Sequence, residues 1–223
     1  SATGDYSGAI ALGARTALLE ELSELDARMA RLAQTRGRAI LEDAEAILRE
    51  AGVAEVSTRL RIGDFVDEMR EAVEDADADM LVIGKRGEAA DFAKAHLGSN
   101  LERAARSADR PVFVASRAFK PISKVLVAFD AGASALKAVD HMSRSPTATG
   151  LRFRLVFAGT ETDENRRAIE GAAAILEGAG LEVETAIIPG PPETAVAEAA
   201  ESWGADLLVM GAYGHSRIRS MIL

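Results

Sequence analysis

The chain has 223 residues, is 48% hydrophobic and carries a formal charge of −9, which suits one large or two small domains with a proper core. That acidic balance argues against a general nucleic-acid binder, which needs a basic surface to neutralise phosphates. The lack of cysteine excludes disulfides, thiol catalysis and cysteine zinc sites. No apolar run approaches the roughly 18 residues of a membrane span, and the opening residues show no signal-peptide pattern; no membrane partner and a cytoplasmic location are the expectations.

In chain order, residues 16–50 are expected to be helical. Leu18, Leu22, Leu25, Met29 and Leu32 recur at three- and four-residue spacing, giving one apolar stripe. Such a stripe packs on the chain's own sheet or serves an interface between copies, and Gly37 marks a kink or a break between two helices. After Ala51-Gly52 comes a short β-rich run to Gly63, an amphipathic helix, and the strand MLVIG ending at Gly84. A helix opening at Ser99 precedes the strand RPVFVAS (110–116), and the stretch RAFKPI, with Lys120 and Pro121, is a natural linker. The strand KVLVAFD (124–130) follows, then a helix at about 134–143, a strand at 151–159 and a helix at about 161–178. Another Ala-Gly pair, a β-rich run to Gly190, a helix and the strand LLVMG ending at Gly211 complete the pattern. Continuous apolar runs of this kind suit strands buried on both faces of a parallel sheet. Their alternation with helices implies right-handed crossovers.

Residues 51–87 and 179–214 are two copies of one pattern. Gly63 to Gly84 spans 21 positions (84 − 63), as does Gly190 to Gly211 (211 − 190), and the two strands lie 127 residues apart (211 − 84). That is duplication of a domain, not a short repeat. The expected domains are 1–119 and 120–223. Copy two has a strand, helix and strand ahead of its Ala-Gly pair that copy one lacks, and copy one has a final helix and strand that copy two lacks. The chain is therefore expected to be shortened at both ends.

The glycines carry the chemistry. Gly84 and Gly87, then Gly98-Ser99, follow one central strand; Gly211 and Gly214 follow its counterpart. Ligands of doubly wound sheets bind at this carboxyl edge. Glycine there permits close backbone approach to phosphate oxygens, and the Ser99 helix would turn its N-terminus towards an anion. The alternative stays open. Ser99-Asn-Leu-Glu102 is a good capping box, and the glycines could merely turn the chain. Neither copy has a P-loop or a Rossmann G-x-G-x-x-G pattern.

Gly-x-x-Gly, nine or ten residues, then Gly-Ser, following Ala-Asp and four apolar residues, resembles the nucleotide-binding signature of the universal stress protein family. The resemblance covers essentially the whole chain as a tandem pair. It implies an α/β fold of two Rossmann-like, adenine-nucleotide-hydrolase-like domains, each a doubly wound parallel five-stranded sheet. Copy one would lack its first β-α-β, and copy two its last helix and strand. The resemblance implies ATP as ligand, with or without Mg²⁺. In copy two it points to Asp130, which ends the first strand, and to Gly211 and Gly214, with Val156 and Met210 lining the base pocket. In copy one it points to Gly84, Gly87, Gly98 and Ser99. Two departures stand out: the spacing in copy one is ten, and Asp130 is followed by Ala131-Gly132-Ala133-Ser134 where the family usually has Gly-Ser. The family also implies a homodimer, or pairing of the two domains within one chain.

Other polar residues carry less. His96, His141 and His215 have no metal-ligand spacing and read as solvated. Lys85, Arg86, Arg217 and Arg219 either neutralise phosphate charge or are solvated loop residues. Asp79 and Asp206, just before matching strands, read as capping or solubilising residues, not catalytic ones. No hydrolytic apparatus can be assembled. The expected function is a nucleotide-binding stress-response regulator that signals through conformation or assembly. The alternatives are a slow ATPase and a nucleotide-independent scaffold or apolar-ligand carrier.

Overall fold

The computed structural model describes residues 7–84, 99–116 and 118–211. Two compact units emerge, 1–64 and 65–223.

The first unit is dominated by α1 (Ser7–Glu50), a single 44-residue helix. It runs unbroken through Gly37, so a break between two helices is absent there. Gly37 instead makes room for a neighbour: a Cβ built there would lie 2.8 Å from a methyl of Leu60. The segment around Leu60 thus folds back on one side of the helix, where Gly37, Leu41 and Glu45 are half-buried. The β-rich run before Gly63 is not a strand. A strand needs a neighbour's backbone to complete its hydrogen bonds. The counterpart in the second copy finds one in the strand before it, whereas here the preceding 44 residues are helical.

In the second unit, α2 (Phe65–Asp75), β1 (Leu81–Gly84), α3 (Ser99–Ser107) and β2 (Val112–Ala115) come first. β1 and β2 pair in parallel, with Gly84 opposite Ala115. This first copy has two paired strands among the described residues, where three were expected. Met69 of α2 and Leu101 and Ala104 of α3 are buried.

The remaining elements form a four-stranded parallel sheet. They are β3 (Lys124–Ala128), α4 (Ala133–Arg144), a single 3-10 turn, β4 (Arg152–Ala158), α5 (Asp163–Gly178), β5 (Glu182–Ile188), α6 (Pro192–Trp203) and β6 (Leu207–Met210). The strand order is β5-β4-β3-β6. β3 lies between β4 and β6, and Val125, Leu126 and Val127 are wholly buried, which is why this run is apolar without alternation. Its residues alternate between two cores. Val125, Val127 and Phe129 join Phe153, Leu155, Val139, Ile169 and Leu176, with α4 and α5 on that side. Leu126 and Ala128 join Val156, Val196 and Ala199 of the opposite face, under α6. Moving from β3 to β4 to β5, and then back past β3 to β6, reverses the direction of winding. Right-handed crossovers then place α6 on the other face.

Candidate functional site at the carboxyl edge of β3 and β6

That reversal opens a crevice beyond the carboxyl ends of β3 and β6, the topological switch point where doubly wound sheets hold ligands. A cavity of about 70 Å³ sits there, lined by Ala128, Phe129, Asp130, Val156, Phe157, Ala158, Pro192, Val196, Met210 and Gly211. The strands bring together Asp130, Val156, Met210 and Gly211, although these residues are spread over 81 positions (211 − 130).

Each wall has a local cause. β3 ends at Ala128, and the Phe129 amide still donates to the Val156 carbonyl at 2.9 Å, which holds the following Asp130 at the rim. The Asp130 carboxylate accepts from the Gly132 amide at 2.9 Å through Oδ1, an Asx turn that fixes the side chain. Among the described residues its Oδ2 has no hydrogen-bond partner. Between them, Ala131 takes φ of +58°, a left-handed conformation that costs a residue with a Cβ about 1–2 kcal/mol. Glycine would adopt this conformation without steric cost; alanine accepts the strain.

Gly211 makes the closest approach. A Cβ there would lie 2.9 Å from the Cβ and 3.3 Å from the backbone nitrogen of Ser134 and Ala135, respectively. Only glycine lets the end of β6 abut the first turn of α4. That first turn has Gly132 as its N-cap and no side-chain cap hydrogen bond, so its leading N–H groups carry the positive end of the helix dipole without a side-chain acceptor. The opposite wall is apolar: Val196, Met210 and Val156 suit the face of a planar base. Pro192 and Val196 were not singled out from the sequence. Their one-turn spacing on the helix after Gly190 was the available signal.

The other sequence candidates fall as follows. Gly84 ends β1 and Ser99 begins α3, while Gly87, Gly98 and Gly214 lie outside the described residues. His96, His215, Lys85, Arg86, Arg217 and Arg219 also lie outside them, and His141 sits in the last turn of α4. Asp79 is exposed. Asp206, its counterpart, is a clasp. Oδ2 accepts from the Ser123 amide (3.1 Å), the Ser123 hydroxyl (2.9 Å) and the Lys124 amide (3.1 Å). Lys120 Nζ lies 3.0 Å from Oδ1. The lysine and the three donors hold its carboxyl well below the usual range. Capping was the expectation for this residue; the structure shows it tying the linker to the start of β6. Among the described residues no cluster of three acidic or histidine side chains is placed to hold a metal.

Comparison with known proteins places this geometry in a lineage. The sequence profile of the universal stress protein family matches residues 9–116 and 121–223. The chain is 36% identical over 222 residues to universal stress protein Slr1230 of Synechocystis sp., covering 98% of this chain and 76% of that protein. Among solved structures, a universal stress protein from Archaeoglobus fulgidus superposes with a TM-score of 0.68 at 24% identity, covering 85% of this chain and 72% of its own. A universal stress protein crystallised in complex with cAMP is 26% identical over 46% of this chain and 86% of its own, with a TM-score of 0.39. Two family matches in tandem, over most of the chain's length, are decisive: the chain belongs to the universal stress protein family.

Proposed function

We propose that the second copy, taken as the domain 120–223, binds an adenine nucleotide such as ATP at the β3/β6 crevice, and that occupancy regulates the conformation or assembly of the protein. The observation that carries this reading is the convergence of Asp130, Val156, Met210 and Gly211 on one cavity at the switch point. The base would lie against Val156, Val196 and Met210. The ribose would meet the free oxygen of Asp130, and the phosphates would run towards Gly211 and the bare first turn of α4, where N–H groups favour anions. The cavity is small beside the several hundred Å³ of a typical ligand pocket, so the described walls account for the base and sugar end alone. Mg²⁺ would enter on the nucleotide's own phosphates, as it commonly does.

No described group is placed as a base or a water-positioning residue, so binding without fast turnover is the reading favoured over hydrolysis. Calorimetric titration of ATP and AMP, with and without Mg²⁺, into the wild-type chain and Asp130→Ala tests it. Binding should weaken about tenfold or more in the variant, the cost of losing a charge-assisted hydrogen bond. Equal affinity in both proteins would remove Asp130 from the site. Absence of binding to the wild-type chain would set the nucleotide reading aside for this chain.

A further inference from the structure

The apolar stripe of α1 is exposed. Leu18 (56%), Leu22 (48%), Leu25 (48%), Met29 (67%) and Leu32 (61%) all face outwards. The segment that folds back on α1 covers a different side, the one bearing Gly37, Leu41 and Glu45. The spacing of the stripe is four, three, four, three, the seam of a two-stranded coiled coil and narrower than the face of a helix packed on a sheet. In heptad terms Leu22 and Met29 occupy a positions, while Leu18, Leu25 and Leu32 occupy d positions. The charges flanking the seam then choose an orientation. Glu21 and Arg28 fall at g, and Asp26 at e.

In a parallel pair, g meets the following e of the partner, so Glu21 would face Asp26 twice over and repel it. In an antiparallel pair, Leu18 layers with the partner's Met29 and Leu22 with the partner's Leu25. Each g position then meets a g, so Glu21 faces the partner's Arg28, again twice over. The same sequence is repulsive in one orientation and attractive in the other.

We propose that α1 is a self-association element: residues 18–29 pair with the same segment of a second copy as an antiparallel coiled coil about a two-fold axis. Such an interface is isologous, so the one stripe is complementary to itself. It buries Leu18, Leu22, Leu25 and Met29 of each copy, four of the large apolar side chains that α1 shows to water, and a continuous exposed patch of that kind marks an interaction surface.

The test uses the full chain. Sedimentation equilibrium at high micromolar concentration should give a dimer, and Leu22→Glu should give a monomer with an unchanged circular dichroism spectrum above 200 nm. Glu21→Arg should weaken the dimer about tenfold, because two attractive pairs become Arg–Arg contacts, and adding Arg28→Glu should restore it. The chain has no cysteine, so single thiols report the register. Leu18→Cys mixed with Met29→Cys should form disulfide-linked dimers on mild oxidation, while Leu18→Cys alone should not. A wild-type chain that stays monomeric overturns the proposal. So does a dimer that survives Leu22→Glu, or one in which Leu18→Cys links to itself.

Discussion

Gly211 and Ser134, from the end of β6 and the first turn of α4, stand so close that a methyl group on Gly211 would press on the Ser134 Cβ at 2.9 Å. The contact joins the two ends of the candidate site. Gly211→Ala should therefore cost about 1–3 kcal/mol, the usual penalty for overpacking a tight contact. Ser134→Ala should relieve the part due to the Ser134 Oγ, the atom nearest that methyl, while the Cβ contact remains. Ser134→Gly should relieve more, the rest being the 3.3 Å approach to the Ala135 nitrogen. Urea denaturation of the three single variants and of the two doubles that carry Gly211→Ala measures the coupling. If the nucleotide reading holds, affinity should fall in step, since the same displacement moves the first turn of α4 away from the crevice.

How much of this was legible beforehand depends on whether an element carries its own partners. β3 and β6 announced themselves as continuous apolar runs, buried in β3 and half-buried in β6, and their carboxyl ends located Asp130 and Gly211. The run before Gly63 is β-rich like β5 but has no neighbouring strand among the described residues, so it stays unpaired. Gly37 looked like a helix breaker. A glycine costs only about 1 kcal/mol in a helix interior, which α1 tolerates while gaining a seat for Leu60. Asp79 and Asp206 occupy matching sequence positions, yet only Asp206 meets Ser123, Lys124 and Lys120. Its role depends on the segment that packs beside it, and no local pattern encodes that.

Ala131 offers a direct stability test. Its φ of +58° is one that glycine adopts without steric cost, so Ala131→Gly should stabilise the chain by up to about 1 kcal/mol after the extra unfolded-state entropy of glycine is subtracted. Thermal unfolding would show the gain as a rise in Tm. A fall would mean that the Ala131 methyl makes a contact worth more than the strain.

The Asp206 clasp predicts a pH dependence with a definite sign. Its carboxyl titrates well below the ordinary value of 3.8 in the folded chain, so the unfolded state takes up the proton first as pH falls. The stabilisation is complete above that ordinary value and is lost as pH drops through the lowered one. Asp206→Asn should thus unfold at a lower temperature than wild type at neutral pH, and the gap should narrow only in strong acid. A gap that closes between pH 7 and pH 5 would show that another group controls this part of the fold.

At the opposite edge of the sheet, Trp203, the one tryptophan in the chain, ends α6 between two cations. Arg154 lies 4.8 Å and Lys124 Nζ 5.4 Å from the ring centre, and Lys124 also donates to the Trp203 carbonyl at 2.9 Å. Arg154 is held in place by Glu184, its cross-strand neighbour on β5, with Nε donating at 3.0 Å. Arg154→Ala should cost about 1 kcal/mol, combining the lost cation–π contact with the cross-strand ion pair, and should shift Trp203 emission to the red as the ring gains solvent. Glu184→Ala removes the ion pair but leaves the guanidinium free to cover the ring, so it should cost about half as much and shift the emission less. If the two substitutions are additive, Glu184 does not position Arg154. A coupling of about 0.5 kcal/mol or more in the double-mutant cycle would show that the ion pair holds the cation over the ring.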